Sequence, residues 1–270
     1  MDGSETSLHA LKEAFQLVGN WITVVSVAPP YEGDLRLVGV QNAEALRRAP
    51  CDTALAKAQE MADAAGAFVK TVCAVGEPHE GIVDLAAQEK CDLIVMGATG
   101  HGFWERLLVG SVTRRVIGFS SQDVLVVPLE AGIGWQKLLL ATDGSPDSQR
   151  ASERALDLAQ AYGAELRALT VLDLPPQFFE GTPGLPMEVQ KGGEGLAELE
   201  AQARARGVKT ATLERVGTPY QVITEVAQGQ KVDLIIMGSH GRTGLKRLLM
   251  GSTTERVIGH APCPVLVVKG

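Results

Sequence analysis

Along the chain, short runs that are apolar at nearly every position alternate with longer stretches in which apolar residues recur every three or four positions. In the C-terminal half the runs "LLLAT", "DLIIMG" and "VLVV" are too short for helices and have no polar face, so they predict strands buried on both sides. The strands expected there are "WQKLLLAT", "AELRALTVL", "VKTATLERV", "VDLIIMG" and "PVLVVK". Between them, "DSQRASERALDLAQAY", "EGLAELEAQARAR", "PYQVITEVAQGQ" and "STTERVIGH" have the spacing of amphipathic helices. Asp143-Gly144-Ser145-Pro146 supplies cap residues and a first-turn proline for the first of these helices. Strand alternating with helix implies a parallel sheet covered on both faces.

The N-terminal half repeats the same text at an offset of 141 residues. "DGSETS" returns as "DGSPDS", "VGEPHEGIVDLA" as "VGTPYQVITEVA", "CDLIVMGATG" as "VDLIIMGSHG", and "VGSVTRRVIG" as "MGSTTERVIG"; across 97–118, 12 of 22 positions are identical to their partners. The period is far too long for a solenoid, so the chain reads as a duplication with units at 1–130 and 131–270. The first unit begins at Met1-Asp2-Gly3-Ser4, where the second already has "WQKLLLAT" behind it. Its first strand is therefore missing from the sequence, and a chain starting at an internal Met is the expected reason, because a lost inner strand exposes two ladders of backbone groups. The segments 28–52 and 173–195 share no sequence, are rich in Pro and Gly, and read as loops after the second strand of each unit.

Composition narrows the chemistry. With 270 residues and 45% hydrophobic content each unit can bury its own core, and a formal charge of −7 disfavours a nucleic-acid surface. No apolar run reaches membrane-spanning length. Cys51, Cys73, Cys91 and Cys263 show no metal or redox spacing, and without a signal peptide in view they read as reduced thiols of a cytoplasmic protein. His9, His79, His101 and His260 have no spacing that would build a metal site.

Each unit ends its fourth strand in Gly-x-x-Gly and, nine residues on, carries Gly-Ser at a helix start. The positions are Gly97, Gly100, Gly110 and Ser111 in the first unit and Gly238, Gly241, Gly251 and Ser252 in the second. In an open parallel sheet ligands bind beyond the carboxyl ends of the strands, which puts Met237 at a strand end and 238–241 in the crevice. Glycine lets backbone approach a ligand closely, and the free N–H groups of a helix N-terminus favour an anion. A phosphate is the natural occupant, with Asp143 placed to accept hydrogen bonds from a base or ribose. The chain has neither GxxxxGK[ST] nor GxGxxG after a first strand, so the site is neither a Walker-type loop nor an ordinary dinucleotide fold. The plainer alternative is that these glycines only punctuate turns and helix ends; the recurrence of all four points in both units favours phosphate.

These residues, with "LLLATDGSPDS" and "VIGHAPCPVLVVK", resemble the universal stress protein family in a tandem two-domain form. The resemblance implies an α/β fold of two Rossmann-like (adenine nucleotide alpha hydrolase-like) domains, each an open five-stranded parallel sheet flanked by helices. It further implies ATP, with or without magnesium, as the ligand. Transferred position by position, Asp143 and Val171 contact adenosine, while Gly238, Gly241, Gly251 and Ser252 surround the phosphates; Met237, His240 and Thr253 complete the candidate nucleotide-binding residues. The first-unit counterparts are Asp2, Val27, Gly97, Gly100, Gly110 and Ser111. There Thr99 replaces His240 and Glu105 replaces Lys246, which weakens attraction for a triphosphate.

The leading expectation is a nucleotide-dependent stress-response sensor or interaction module, whose two units pair through "DVLVVP" and "PVLVVK" as single-domain relatives pair by dimerising. A homodimer of the chain and an unidentified protein partner complete that expectation, with no nucleic acid and no membrane. One rival is slow ATP hydrolysis or phosphotransfer, for which no base and no metal carboxylates are evident; the other is a nucleotide-free scaffold. His240 also reads as a surface loop residue, Ser252 and Thr253 as helix caps, and Cys263 as a packed small hydrophobe.

Overall fold

The computed structural model describes residues 1–17, 21–28, 40–99, 109–173, 187–241 and 250–269. The first half runs α1 (Glu5–Ala14), β1 (Ile22–Ala28), α2 (Val40–Ala65), β2 (Val69–Val75), α3 (Pro78–Gln88), β3 (Leu93–Gly97), α4 (Ser111–Phe119) and β4 (Asp123–Val127). The second runs β5 (Lys137–Ala141), α5 (Pro146–Tyr162), β6 (Glu165–Leu172), α6 (Met187–Ala205), β7 (Thr210–Val216), α7 (Pro219–Gln230), β8 (Leu234–Gly238), α8 (Ser252–His260) and β9 (Val265–Val268).

The all-apolar runs became the centre of the molecule. Every residue of β4, β8 and β9 is buried, as is all of β5 but Lys137. Strands without a polar face need cover on both sides, and two apolar layers supply it. Leu138, Leu140, Leu234, Ile236 and Leu266 point into one layer with α5; Leu139, Ile235, Met237, Val265 and Val267 point into the other with Val257 and Ile258 of α8.

Seven strands form one sheet in the order β3-β4-β9-β8-β5-β6-β7. The stretch β7-β6-β5-β8-β9 is the expected five-stranded parallel sheet. The first half departs from that expectation: β1 pairs only with β2 in a separate two-stranded sheet, while β3 and β4 join the large sheet. Among the described residues no strand bridges β1 to β3 as β5 bridges β6 to β8.

The halves meet where β4 and β9 run antiparallel, with Val124 opposite Val267, Leu125 opposite Leu266 and Val126 opposite Val265. Each edge strand thereby satisfies the backbone groups the other leaves open. Both apolar layers continue across this seam, since Leu125 and Val127 belong to one and Val124 and Val126 to the other. Polar contacts clamp its ends. The Asp123 carboxylate accepts from Arg154 at 2.9 Å and from the Lys269 amide at 2.8 Å, and Lys269 Nζ donates to the Ile117 carbonyl at 2.6 Å. Burial holds the Lys269 ammonium below its ordinary value.

Two readings of the sequence need correction. Residues 40–52 and 187–195, expected as loop, are the first parts of α2 and α6 despite Pro50 and three glycines. Helices extend where the chain beyond them packs, and α2 lies on β1 and β2 as α6 lies on β6 and β7. Cys51 and Cys73, expected as separate thiols, are bonded as a disulfide, whereas Cys91 and Cys263 are free.

Candidate functional site

In both halves the site begins at Asp-Gly-Ser. Gly3 and Gly144 share φ 77°, a left-handed conformation that L side chains resist, and each leads into a helix, Gly144 shortly after β5. Ser4 and Ser145 then cap α1 and α5, accepting from the amides of Ser7 at 3.2 Å and Ser148 at 3.3 Å. Asp143 Oδ1 accepts from the Ser145 amide at 3.0 Å; Asp2 Oδ1 accepts from the Ser4 amide at 3.0 Å and hydroxyl at 2.6 Å. Each carboxylate is thus fixed in orientation at the head of its turn.

The parallel register brings the second-half residues together. Ala141 of β5 pairs with Met237 of β8, so Asp143 and 238–241 leave the sheet side by side. Val171 sits at the carboxyl end of β6, the strand on the other flank of β5, and packs with Met237 in one apolar layer. This is where the strand order reverses direction around β5, the crevice at which open α/β sheets bind ligands.

The glycines divide into two kinds. A methyl group on Gly238 would stand 2.8 Å from the backbone of Asp147, and one on Gly97 would stand 2.9 Å from the Thr6 carbonyl oxygen. These two glycines admit the first turns of α5 and α1 against the strand ends, so their requirement is packing. Gly241 is different: a methyl there would meet Asp143 Oδ2 at 2.6 Å, so the open side of Gly241 faces the carboxylate. Gly251 and Gly110 donate to the carbonyls of Ser239 and Ala98 at 2.9 and 2.8 Å, folding each helix start back onto the strand-end loop.

Neither α8 nor α4 has a side-chain cap. Gly251 and Gly110 are the cap residues, so Ser252 and Thr253, read as caps from the sequence, stand inside the first turn of the helix instead. Ser252 and Ser111 are exposed, and the first-turn amides retain the partial positive charge of a helix N-terminus. Thr254 and Thr113, identical across the repeat and overlooked in the sequence, are buried and donate to the carbonyls of Gly238 and Gly97 at 3.1 Å. The same helix face therefore locks to the strand end.

Asp147 was also missed. Its Oδ2 accepts from the Ser239 hydroxyl at 3.1 Å and the His240 amide at 3.2 Å, fixing the 238–241 loop from below. The first half has Thr6 there, whose hydroxyl donates to the Thr99 carbonyl at 2.5 Å. Ser239, His240 and Asp147 are residue types of a nucleophilic triad, yet the geometry is wrong for one. His240 Nδ1 faces both Ser239 Oγ, at 3.1 Å, and Asp147 Oδ2, at 3.6 Å, so one ring nitrogen serves where a relay needs two. Ser239 is also buried.

Val27 lies on β1, in the separate sheet, against Gly81 of α3. Gly100, Glu105 and the basic residues Arg242, Lys246 and Arg247 fall outside the described residues. Among the described residues no cluster of three metal-ligating side chains occurs, and no helix is long and apolar enough to cross a membrane.

A profile of the universal stress protein family matches residues 1–128 and again 134–269. A universal stress protein of Methanocaldococcus jannaschii, MJ0531, is 42% identical over 142 residues, which make up 50% of this chain and 82% of the relative. One of Mycolicibacterium smegmatis is 34% identical over 193 residues, 68% of this chain and 63% of the relative. The crystal structure of a universal stress protein from Archaeoglobus fulgidus superimposes with a TM-score of 0.72 at 22% identity, covering 98% of this chain and 91% of that one. A duplicated sequence, a duplicated strand-end cradle and two consecutive profile matches agree, and the chain belongs to the universal stress protein family as a tandem of two such domains.

Proposed function

We propose that the chain is an ATP-binding universal stress protein, cytoplasmic in its setting, which acts as a nucleotide-dependent sensor or interaction module. The observation that supports it is the meeting, beyond the ends of β5 and β8, of the Asp143 carboxylate, the bare backbone at Gly241 and the uncapped N-terminus of α8. A carboxylate at one end suits the hydroxyls of a ribose or the donors of a base; amides at the other suit phosphate. In this reading Asp143 and Val171 hold adenosine, with Met237 behind them. Gly241, His240, Gly251, Ser252 and Thr253 surround the phosphates, while Gly238 shapes the loop. Magnesium, where present, rides on the phosphates.

The second half is the stronger site. It has β5 between its flanking strands, whereas Asp2 and Val27 of the first half stand beside an interrupted sheet. Denaturing the purified chain and quantifying released nucleotide by mass spectrometry tests the reading. One adenine nucleotide per chain, lost in Asp143→Ala, supports it; none, even after incubation with ATP and magnesium, replaces it with a nucleotide-free scaffold.

A further inference from the structure

The first half contains a cysteine pair that the second half lacks. Cys51 lies on α2 and Cys73 in the middle of β2; the residues 141 positions on are Gly192 and Glu214. The shared fold therefore needs no thiol at either place, and at the second it accepts a carboxylate. Cys73 stands opposite Ser26 in the β1–β2 ladder, and Cys51 Sγ lies 3.2 Å from the Ser26 carbonyl oxygen. Helix and strand thus bring both sulfurs to one point, with Cα atoms 6.0 Å apart, inside the spacing a disulfide requires. Around them pack Leu11, Val24, Leu55 and Ala58.

This link falls where backbone support is weakest. In the second half β6 is hydrogen-bonded on both sides, whereas among the described residues β1 is bonded only to β2. A two-stranded sheet is marginal without further support, and here most of that support comes from α2. A covalent tie from α2 to β2 restricts the unfolded chain over a separation of 22 residues.

We propose that Cys51 and Cys73 are a redox-responsive pair, joined under peroxide and opened by a dithiol, which sets how firmly α2 holds the β1–β2 sheet. The less buried Cys73 reacts first: its thiolate attacks hydrogen peroxide, the O–O bond breaks, a sulfenic acid forms, and the departing hydroxide takes the thiol's proton to leave as water. The Cys51 sulfur then displaces the sulfenic oxygen; the S–S bond forms, the S–O bond breaks, and a second water leaves. Two thiols are oxidised and one peroxide is reduced to two waters. Dithiothreitol reverses the bond by two exchange steps and is itself oxidised to a cyclic disulfide. The remaining cysteines serve as internal controls: burial raises both thiols, Cys263 to about 12, so neither competes as a thiolate. The inference does not depend on nucleotide binding.

The test uses the full chain, reduced, freed of reductant, and divided into samples with and without hydrogen peroxide. After denaturation, alkylation and digestion, the oxidised sample is expected to yield a joined Cys51–Cys73 peptide, with Cys91 and Cys263 alkylated. Its melting temperature before digestion is expected to exceed that of the reduced sample by about 5 °C or more, reversed by dithiothreitol. Cys73→Ser is expected to melt alike under both conditions. Full alkylation of Cys51 and Cys73 after peroxide, oxidation of Cys73 to a sulfinic acid without the link, or a joined peptide with unchanged melting would each overturn the proposal.

Discussion

Arg114 and Glu255 occupy the same position in the two copies of the chain and face each other as an ion pair of 3.1 Å. A dimer of identical domains would set like charges against each other here. The tandem chain has made the position complementary instead, joining helices α4 and α8. A second exchange accompanies it: His79 packs against Phe119 at 5.5 Å, while the equivalent Tyr220 packs against His260 at 5.3 Å, with the imidazole moved to the other partner.

The ion pair is partly exposed, 42% and 35%, so its contribution is modest, about 0.2–1 kcal/mol. Arg114→Glu is expected to lower the urea midpoint by a corresponding amount or slightly more, through repulsion. The double reversal Arg114→Glu with Glu255→Arg is expected to regain most of the loss. A double-mutant cycle that shows no coupling would remove this pair from the account of domain pairing.

The two kinds of glycine separate folding from binding. Gly238→Ala drives a methyl into the Asp147 backbone, which cannot swing aside, and is expected to cost about 1–3 kcal/mol of stability. Among the described residues, a methyl at Gly241 meets the end of the Asp143 side chain and no backbone. Gly241→Ala is expected to melt within a few degrees of the parent yet bind ATP at least tenfold more weakly, by displacing the carboxylate. Thermal melts beside nucleotide titrations of both variants check the contrast.

Asp123 is the buried acid of the seam, its side chain 8% exposed. Asp123→Ala removes an acceptor from the Lys269 amide and from Arg154, and an expected loss of about 1–3 kcal/mol follows from the buried donor left behind. Chemical denaturation measures it; a loss below about 0.5 kcal/mol would show that water replaces the carboxylate there.

Cys263 gives a pH signature. Burial, with the charge of Asp233 second, pushes its thiol up to about 12, against an ordinary value of 9.0 that the unfolded chain retains. Between those values the unfolded chain releases a proton that the folded chain keeps, so stability falls as pH rises. Cys263→Ala is expected to flatten the decline in melting temperature above pH 9. An unchanged slope would assign the decline to other groups.

Much of the fold was legible because strands buried on both faces cannot be written any other way. Beyond the terminal Asp233 and Lys269, "DLIIMG" and "PVLVVK" are apolar at every side chain and have no polar face for water, and the 141-residue offset aligned their partners. The Asp-Gly-Ser turn was equally legible, since positive φ, cap and first-turn proline each demand a residue type. Helical starts at 40–52 and 187–195 were not, because Pro and Gly there speak locally for loops while the sheets beneath act at a distance.

The sequence by itself determined the strand and helix order and the duplication, which follow from periodicity and local residue chemistry, and its motifs carried the resemblance to the family. Only the tertiary structure separated Gly238, needed for a helix to approach, from Gly241, open toward Asp143. Only it brought Asp147 beneath the loop, Cys51 against Cys73 and Arg114 against Glu255, and divided the first half between two sheets. These are contacts between residues distant along the chain, and no local preference encodes which distant partner a side chain meets.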